Sequence, residues 1–119
     1  MYDLKKHYLV DKNLILKCID RTLLSGELEL GPEMKNFEKN FSKFCNSKYS
    51  ISVSSGSMGL LIALKCLNLK KNDEVITVAN SDIPTSHAIT LAGAKIKWVD
   101  IEATSLNINP KEIEKNINS

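Results

Sequence analysis

Apolar residues recur every three or four positions in two stretches of the first 45 residues, and this spacing predicts two amphipathic helices. The first helix covers residues near 11 to 24 and ends at Gly26. The second begins at Pro32, a residue suited to the first helical position, and continues to about Cys45. Its apolar stripe, which we interpret as a docking face rather than a ligand site, consists of Met34, Phe37, Phe41 and Phe44.

From residue 49 onwards, short apolar runs alternate with stretches of helical spacing. The predicted strands are Tyr49–Ser54, Glu74–Ala79 and Lys95–Asp100. The predicted helices are Gly56–Leu69, a helix that Pro84 opens and Gly93 closes, and a helix from Pro110 with Asn109 as its N-cap and Glu112 completing a capping-box-like signal. This alternation is typical of right-handed βαβ units with a parallel sheet. We therefore predict an α/β fold with two domain segments: N-terminal helices in residues 1–47 and the first βα units in residues 48–119.

A sheet of three parallel strands is small, and a parallel sheet needs helices on both faces. We therefore interpret the chain as the front part of a larger domain; the alternative is a complete small domain of this shape.

Composition excludes several classes of protein. An apolar fraction of 43% and a charged fraction of 25% are typical of a globular chain, and a net charge of +2 without a basic stripe argues against nucleic-acid binding. The odd number of widely spaced cysteines, without a C-x-x-C pair, predicts reduced thiols rather than disulfides or a metal site. The N-terminus lacks the long apolar region of a signal peptide, and no apolar run reaches membrane-spanning length. We expect a cytoplasmic protein without membrane partners.

The candidate chemistry lies in the turn between the first predicted strand and the helix that starts at Gly56. Free backbone N–H groups and the positive end of the helix dipole at such a turn bind phosphate well, and hydroxyls of Ser54, Ser55 and Ser57 add donors. The alternative is a tight βα connection in which serine only caps the helix. The turn is neither a P-loop nor a G-x-G-x-x-G motif, which argues against nucleoside triphosphates and dinucleotides.

An ordered set of segments resembles the N-terminal part of the DegT/DnrJ/StrS aminotransferases. The set consists of Gly26, Gly31–Met34, Phe37–Glu38, Phe41, Val53–Ser57, Leu60, Ala63–Leu64, Asn72–Ile76, Ala79–Ser81, Ala88–Ile89, Leu91–Ala94 and Val99–Ile101. The resemblance implies part of the large domain of a fold-type I enzyme that uses pyridoxal 5'-phosphate (PLP). It further implies transfer of an amino group from glutamate to a keto group on a nucleotide-linked sugar, in a homodimer whose active site lies at the subunit interface.

By the same resemblance, Gly56, Ser57 and Met58 form the phosphate-binding turn, with Ser57 in place of the usual threonine. Asp82 stands where the family has an aromatic residue that stacks on the pyridine ring, so we include it among the cofactor-site residues. A carboxylate cannot stack; Asp82 instead contacts substrate, caps the helix near Pro84, which we take as the default, or is solvated. Stacking then falls to His87 or to no residue, and the simpler interpretation of His87 is an ordinary helix position.

The lysine that binds PLP covalently and the acid beside the pyridine nitrogen lie, by resemblance, beyond the region that this chain covers. We therefore nominate no catalytic residue and no metal ligand. The leading hypothesis is the N-terminal part of a sugar aminotransferase, inactive as an isolated chain. The alternatives are a catalytically dead module for sugar-nucleotide binding or dimerisation, and a non-functional product of a split gene.

Overall fold

The computed structural model describes residues 3–117, which belong to two compact units, Met1–Ser52 and Val53–Ser119. The division at residues 47 and 48 that we draw from the sequence stays a prediction.

The first unit contains two helices, α1 (Leu4–Ser25) and α2 (Pro32–Phe44). Helix α1 begins well before the predicted start near residue 11, because the Asp3 carboxylate caps it by accepting the Lys6 N–H at 3.1 Å. It ends as predicted at Gly26, whose φ of 70° is left-handed. Helix α2 starts at Pro32 and ends within one residue of the predicted end.

An ion pair connects α1 and α2 across the loop between them. The Arg21 guanidinium and the Glu33 carboxylate form an ion pair with an N–O distance of 2.8 Å. Both side chains are largely exposed, so this pair contributes little stability. Gly31, in contrast, is buried, and a Cβ atom there would clash with the carbonyl oxygen of Glu27.

The second unit is built around a β–α–β arrangement. Strands β1 (Glu74–Thr77) and β2 (Lys95–Trp98) are parallel, with a register that runs from Glu74 opposite Lys95 to Thr77 opposite Trp98. Helix α4 (Ile83–Ala92) connects them, α3 (Gly56–Cys66) precedes β1, and α5 (Pro110–Asn116) follows β2. The predicted parallel pairing of these two strands is therefore confirmed, although each strand ends earlier than predicted.

The predicted strand Tyr49–Ser54 is wrong: no part of it is a strand. A strand requires a neighbouring backbone, and no described residue pairs with this segment. Within it, the Ser52 N–H donates to the Glu38 carboxylate of α2 at 2.6 Å instead of to a strand. Apolar alternation identified a segment able to pair, but pairing depends on a partner that the pattern does not contain.

The predicted end of α3 at Leu69 is also wrong, since the helix stops at Cys66. Asn68 has a left-handed φ of 52°, which ends the helical path, and its N–H closes a turn on the Lys65 carbonyl. The buried core of this unit is small and centres on α4 and β1, where the buried residues are Thr77, Ala88, Ile89 and Ala92. Among residues 3–117, no helix has the length and apolarity needed to cross a membrane.

Candidate functional site

The first turn of α3 presents the unpaired donors of a helix N-terminus. Ser55 is extended, with a φ of −164°, and its hydroxyl accepts the Met58 N–H at 3.2 Å, so it is the N-cap. The backbone N–H groups of Gly56 and Ser57 have no acceptor among the described residues. The hydroxyl of Ser57 is likewise without a partner in residues 3–117.

A pocket of about 200 Å³ opens between this turn and α4. Its lining residues are Ser55, Ser57, Met58, Leu61, Ile83, Pro84, His87, Ala88 and Leu91. The lining is apolar except for two hydroxyls and one imidazole, and it contains no carboxylate. Hydroxyl and N–H donors without a competing negative charge suit an anion.

The structure brings two of the predicted site residues, Ser57 and Met58, into the lining of this pocket. Gly56 begins the helix between Ser55 and Ser57, and a Cβ atom at Gly56 would meet nothing within 4 Å. The backbone at this turn is therefore open to an approaching ligand. Ser54, which we grouped with the other serines, does not line the pocket.

Asp82 lies outside this pocket and caps α4. Its Oδ1 atom accepts the Ile83 N–H at 2.8 Å, which confirms the cap predicted from the sequence. Asp82 lines a separate cleft of about 230 Å³ together with Trp98. Any contact of Asp82 with a cofactor or substrate stays a prediction.

His87 is a pocket residue that the sequence analysis assigned to an ordinary helix position. It lies four residues after Ile83 and four before Leu91, so the three share one face of α4, and all three line the pocket. Its side chain is exposed and has no hydrogen-bond partner among residues 3–117. The sequence shows the four-residue spacing. It does not show that this face of α4 lines the same pocket as Ser57 of α3.

Within the described part of the chain, no cluster of three histidine, cysteine or acidic side chains could hold a metal ion. The three cysteines are free thiols, and Cys18 is the least exposed of them.

Comparison with known proteins identifies relatives of this chain. The model of the DegT/DnrJ/EryC1/StrS aminotransferase family matches residues 10–119. The chain is 35% identical over 112 residues to the UDP-2-acetamido-2-deoxy-3-oxo-D-glucuronate aminotransferase of Pseudomonas aeruginosa, covering 94% of this chain and 31% of that protein. It is 36% identical over 103 residues to the 3-oxo-glucose-6-phosphate:glutamate aminotransferase of Bacillus subtilis, with 87% and 23% covered.

A solved structure shares the fold. The GDP-4-keto-6-deoxy-D-mannose-3-dehydratase of Escherichia coli, with bound hydrated PLP, matches at a TM-score of 0.82 and 33% identity, over 87% of this chain and 28% of that one. The chain thus spans between about a quarter and a third of the length of these relatives.

The match has the coverage expected of an N-terminal fragment, as the resemblance implied. Because the family model covers nearly all of the described residues, including both helices that form the pocket, the chain belongs to the DegT/DnrJ/EryC1/StrS aminotransferase family.

Proposed function

We propose that this chain is the N-terminal part of a PLP-dependent enzyme that transfers an amino group from glutamate to the keto group of a nucleotide-linked sugar. Two relatives support the reaction class: one is named for an oxidised UDP-sugar substrate and the other for glutamate. A homodimer as the full-length assembly belongs to the same proposal.

The observation that carries the proposal is the set of unpaired donors at the first turn of α3. The N–H groups of Gly56 and Ser57 and the Ser57 hydroxyl have no partner among the described residues, and Ser57 lines the pocket. Such donors fit a phosphate group, which is doubly charged near neutral pH and has three acceptor oxygens. We assign this turn to the phosphate of PLP.

The size of the pocket limits what it holds. Pockets that enclose a whole small ligand have volumes of about 300–1,000 Å³. At about 200 Å³, this pocket suits the phosphate end of the cofactor rather than the entire molecule. The rest of PLP then extends beyond the pocket, towards parts of the active site that these residues do not form.

When bound, PLP supplies an electron-withdrawing ring that stabilises negative charge developing on the substrate. The residues of this chain contribute binding and orientation through the phosphate. The resemblance assigns the covalent lysine to a region outside this chain, so we expect the isolated chain to bind the cofactor without turnover.

The alternative is a catalytically inactive module that binds a sugar nucleotide or dimerises with a homologue. The relation to a dehydratase matters here, because that protein shares this part of the fold while carrying out a different reaction. The pocket between α3 and α4 therefore supports a cofactor phosphate more directly than it supports amino transfer.

The test is binding of PLP, inorganic phosphate and pyridoxal to the chain and to two serine variants, measured by calorimetry. We expect Ser57→Ala to weaken binding of PLP and phosphate several-fold, since it removes a hydroxyl donor to a charged acceptor. Binding of pyridoxal, which lacks the phosphate, should change little. Ser54→Ala is the matched control, because Ser54 does not line the pocket.

Two results would overturn the proposed site. One is a chain that binds PLP no better than pyridoxal. The other is a Ser57→Ala variant with the affinity of the unmodified chain while its amide spectrum shows an intact fold.

A further inference from the structure

We propose that His87 is a second phosphate-binding residue of this pocket, donating an imidazole N–H from α4 to the anion held by the first turn of α3. This inference rests on the proposed function and deepens it, since it adds a donor from a different helix.

His87 and Ser57 both line the pocket, although 30 positions separate them in the sequence. The face of α4 that contributes to the pocket carries Ile83, His87 and Leu91, and His87 is the polar member of that face. The opposing wall from α3 is also apolar at Met58 and Leu61. His87 therefore contributes a polar group to an apolar wall of the same pocket that Ser57 lines.

The other polar side chains of α4 already form hydrogen bonds within or next to the helix. The Asp82 carboxylate accepts the Ile83 N–H, and the hydroxyls of Ser86 and Thr90 donate to the carbonyls of Ile83 and Ser86 at 3.1 and 3.2 Å. The Thr85 hydroxyl pairs with that of Ser81 at 2.8 Å. Among the described residues, none is bonded to the His87 ring.

An imidazole carries at least one N–H donor in either neutral tautomer and two when charged, so His87 can donate to an anion in every form. Without His87, the donors at the pocket come only from one side, the first turn of α3. With it, a phosphate is held between two helices whose relative position is set by their packing within one unit. The ligand class is a phosphate monoester or free phosphate.

Nuclear magnetic resonance can follow His87 directly, because the chain has few histidines. The chain contains only His7 and His87, so a proton spectrum shows two Hε1 imidazole signals, and His7→Gln assigns them. Titration with inorganic phosphate should shift the His87 signal in step with the amides of Gly56 and Ser57, and leave the His7 signal in place. His87→Ala should weaken phosphate and PLP binding about tenfold, as expected for loss of a hydrogen bond to a charged acceptor. His7→Gln should bind like the unmodified chain.

The outcomes separate this inference from the proposed function. If phosphate shifts Gly56 and Ser57 while the His87 signal stays fixed and His87→Ala binds normally, the inference fails and the α3 site stands. If phosphate shifts none of these signals, both fail. If the His87 signal moves on dilution of the protein without phosphate, this face is a contact between copies of the chain, and that result also overturns the inference. His87→Gln keeps an N–H donor, so partial recovery of affinity relative to His87→Ala would support hydrogen bonding over a packing effect.

Discussion

At the scale of single residues, the backbone at Gly31 comes so close to the carbonyl of Glu27 that no side chain fits between them. The φ of Gly31 is −77°, an ordinary value, so space rather than backbone freedom requires glycine here. This residue belongs to the segment through which the chain resembles its family. Glycine is therefore required at position 31 for a structural reason that is independent of any ligand.

Gly31→Ala should lower the free energy of unfolding by about 1–3 kcal/mol, because the added Cβ forces the backbone around Glu27 to move. Chemical denaturation followed by circular dichroism would measure it. Gly56→Ala is the control, since a Cβ atom there meets nothing within 4 Å. Equal stability of the Gly31→Ala variant and the unmodified chain would show that the loop adapts without cost.

Asp82 is the second residue whose role the structure narrows, from three interpretations to a helix cap with a ligand role still to be tested. Asp82→Ala should destabilise α4 by about 1 kcal/mol, whereas Asp82→Asn, which keeps an acceptor oxygen, should be nearly neutral. Thermal unfolding measures the stability of both variants. PLP affinity should stay unchanged in Asp82→Asn if the carboxylate only caps the helix; a loss of affinity in that variant would assign Asp82 to the cofactor site.

At the scale of elements, α5 has the predicted N-cap but lacks the second hydrogen bond that a full capping box requires. The Asn109 side chain accepts the Lys111 N–H at 3.0 Å, so the predicted N-cap is confirmed. The reciprocal arm predicted for Glu112 is absent, which corrects the sequence analysis. The Asn109 N–H donates to the Asp100 carbonyl at 3.1 Å, and the Glu112 carboxylate pairs with the Lys115 ammonium at 2.6 Å.

We therefore expect unequal effects from two substitutions in α5. Asn109→Ala should cost about 1 kcal/mol through loss of the cap, while Glu112→Gln should change stability by less than about 0.5 kcal/mol because its ion pair is a local surface pair. Hydrogen exchange at the amides of the first turn of α5 reports the difference. Comparable losses of protection in both variants would mean that a capping box forms in solution.

At the scale of the whole molecule, exposed apolar side chains are the feature most relevant to association with other proteins. On α2, the rings of Phe37, Phe41 and Phe44 follow one another with centroid distances of 5.6 and 6.3 Å, and Phe44 is 86% exposed. In water, a continuous aromatic face of this kind favours association. The role of the stripe as a docking face stays a prediction, and a second copy of the chain as its occupant is an expectation that follows from the homodimer we propose.

The double variant Phe41→Ser with Phe44→Ser should shift the chain towards monomer, with a dissociation constant at least tenfold higher, since it removes two large exposed rings from the contact. Sedimentation velocity over a range of concentrations measures this shift. Lys43→Ser, on the same helix, is the matched control and should leave association unchanged. Association that persists in the double variant would place the contact on another face.

Features that depend on neighbouring residues in the chain were predictable. The entry of α2 at Pro32, the left-handed residue that ends α1, the caps at Asp82 and Asn109 and the serine-rich start of α3 all follow from local backbone chemistry. Features that depend on a distant partner were not. The segment 49–54 has a strand pattern but no strand, because pairing needs a second backbone. His87 lines the same pocket as Ser57 only because α3 packs on α4, and the apolar periodicity of either helix does not show which helix it packs against.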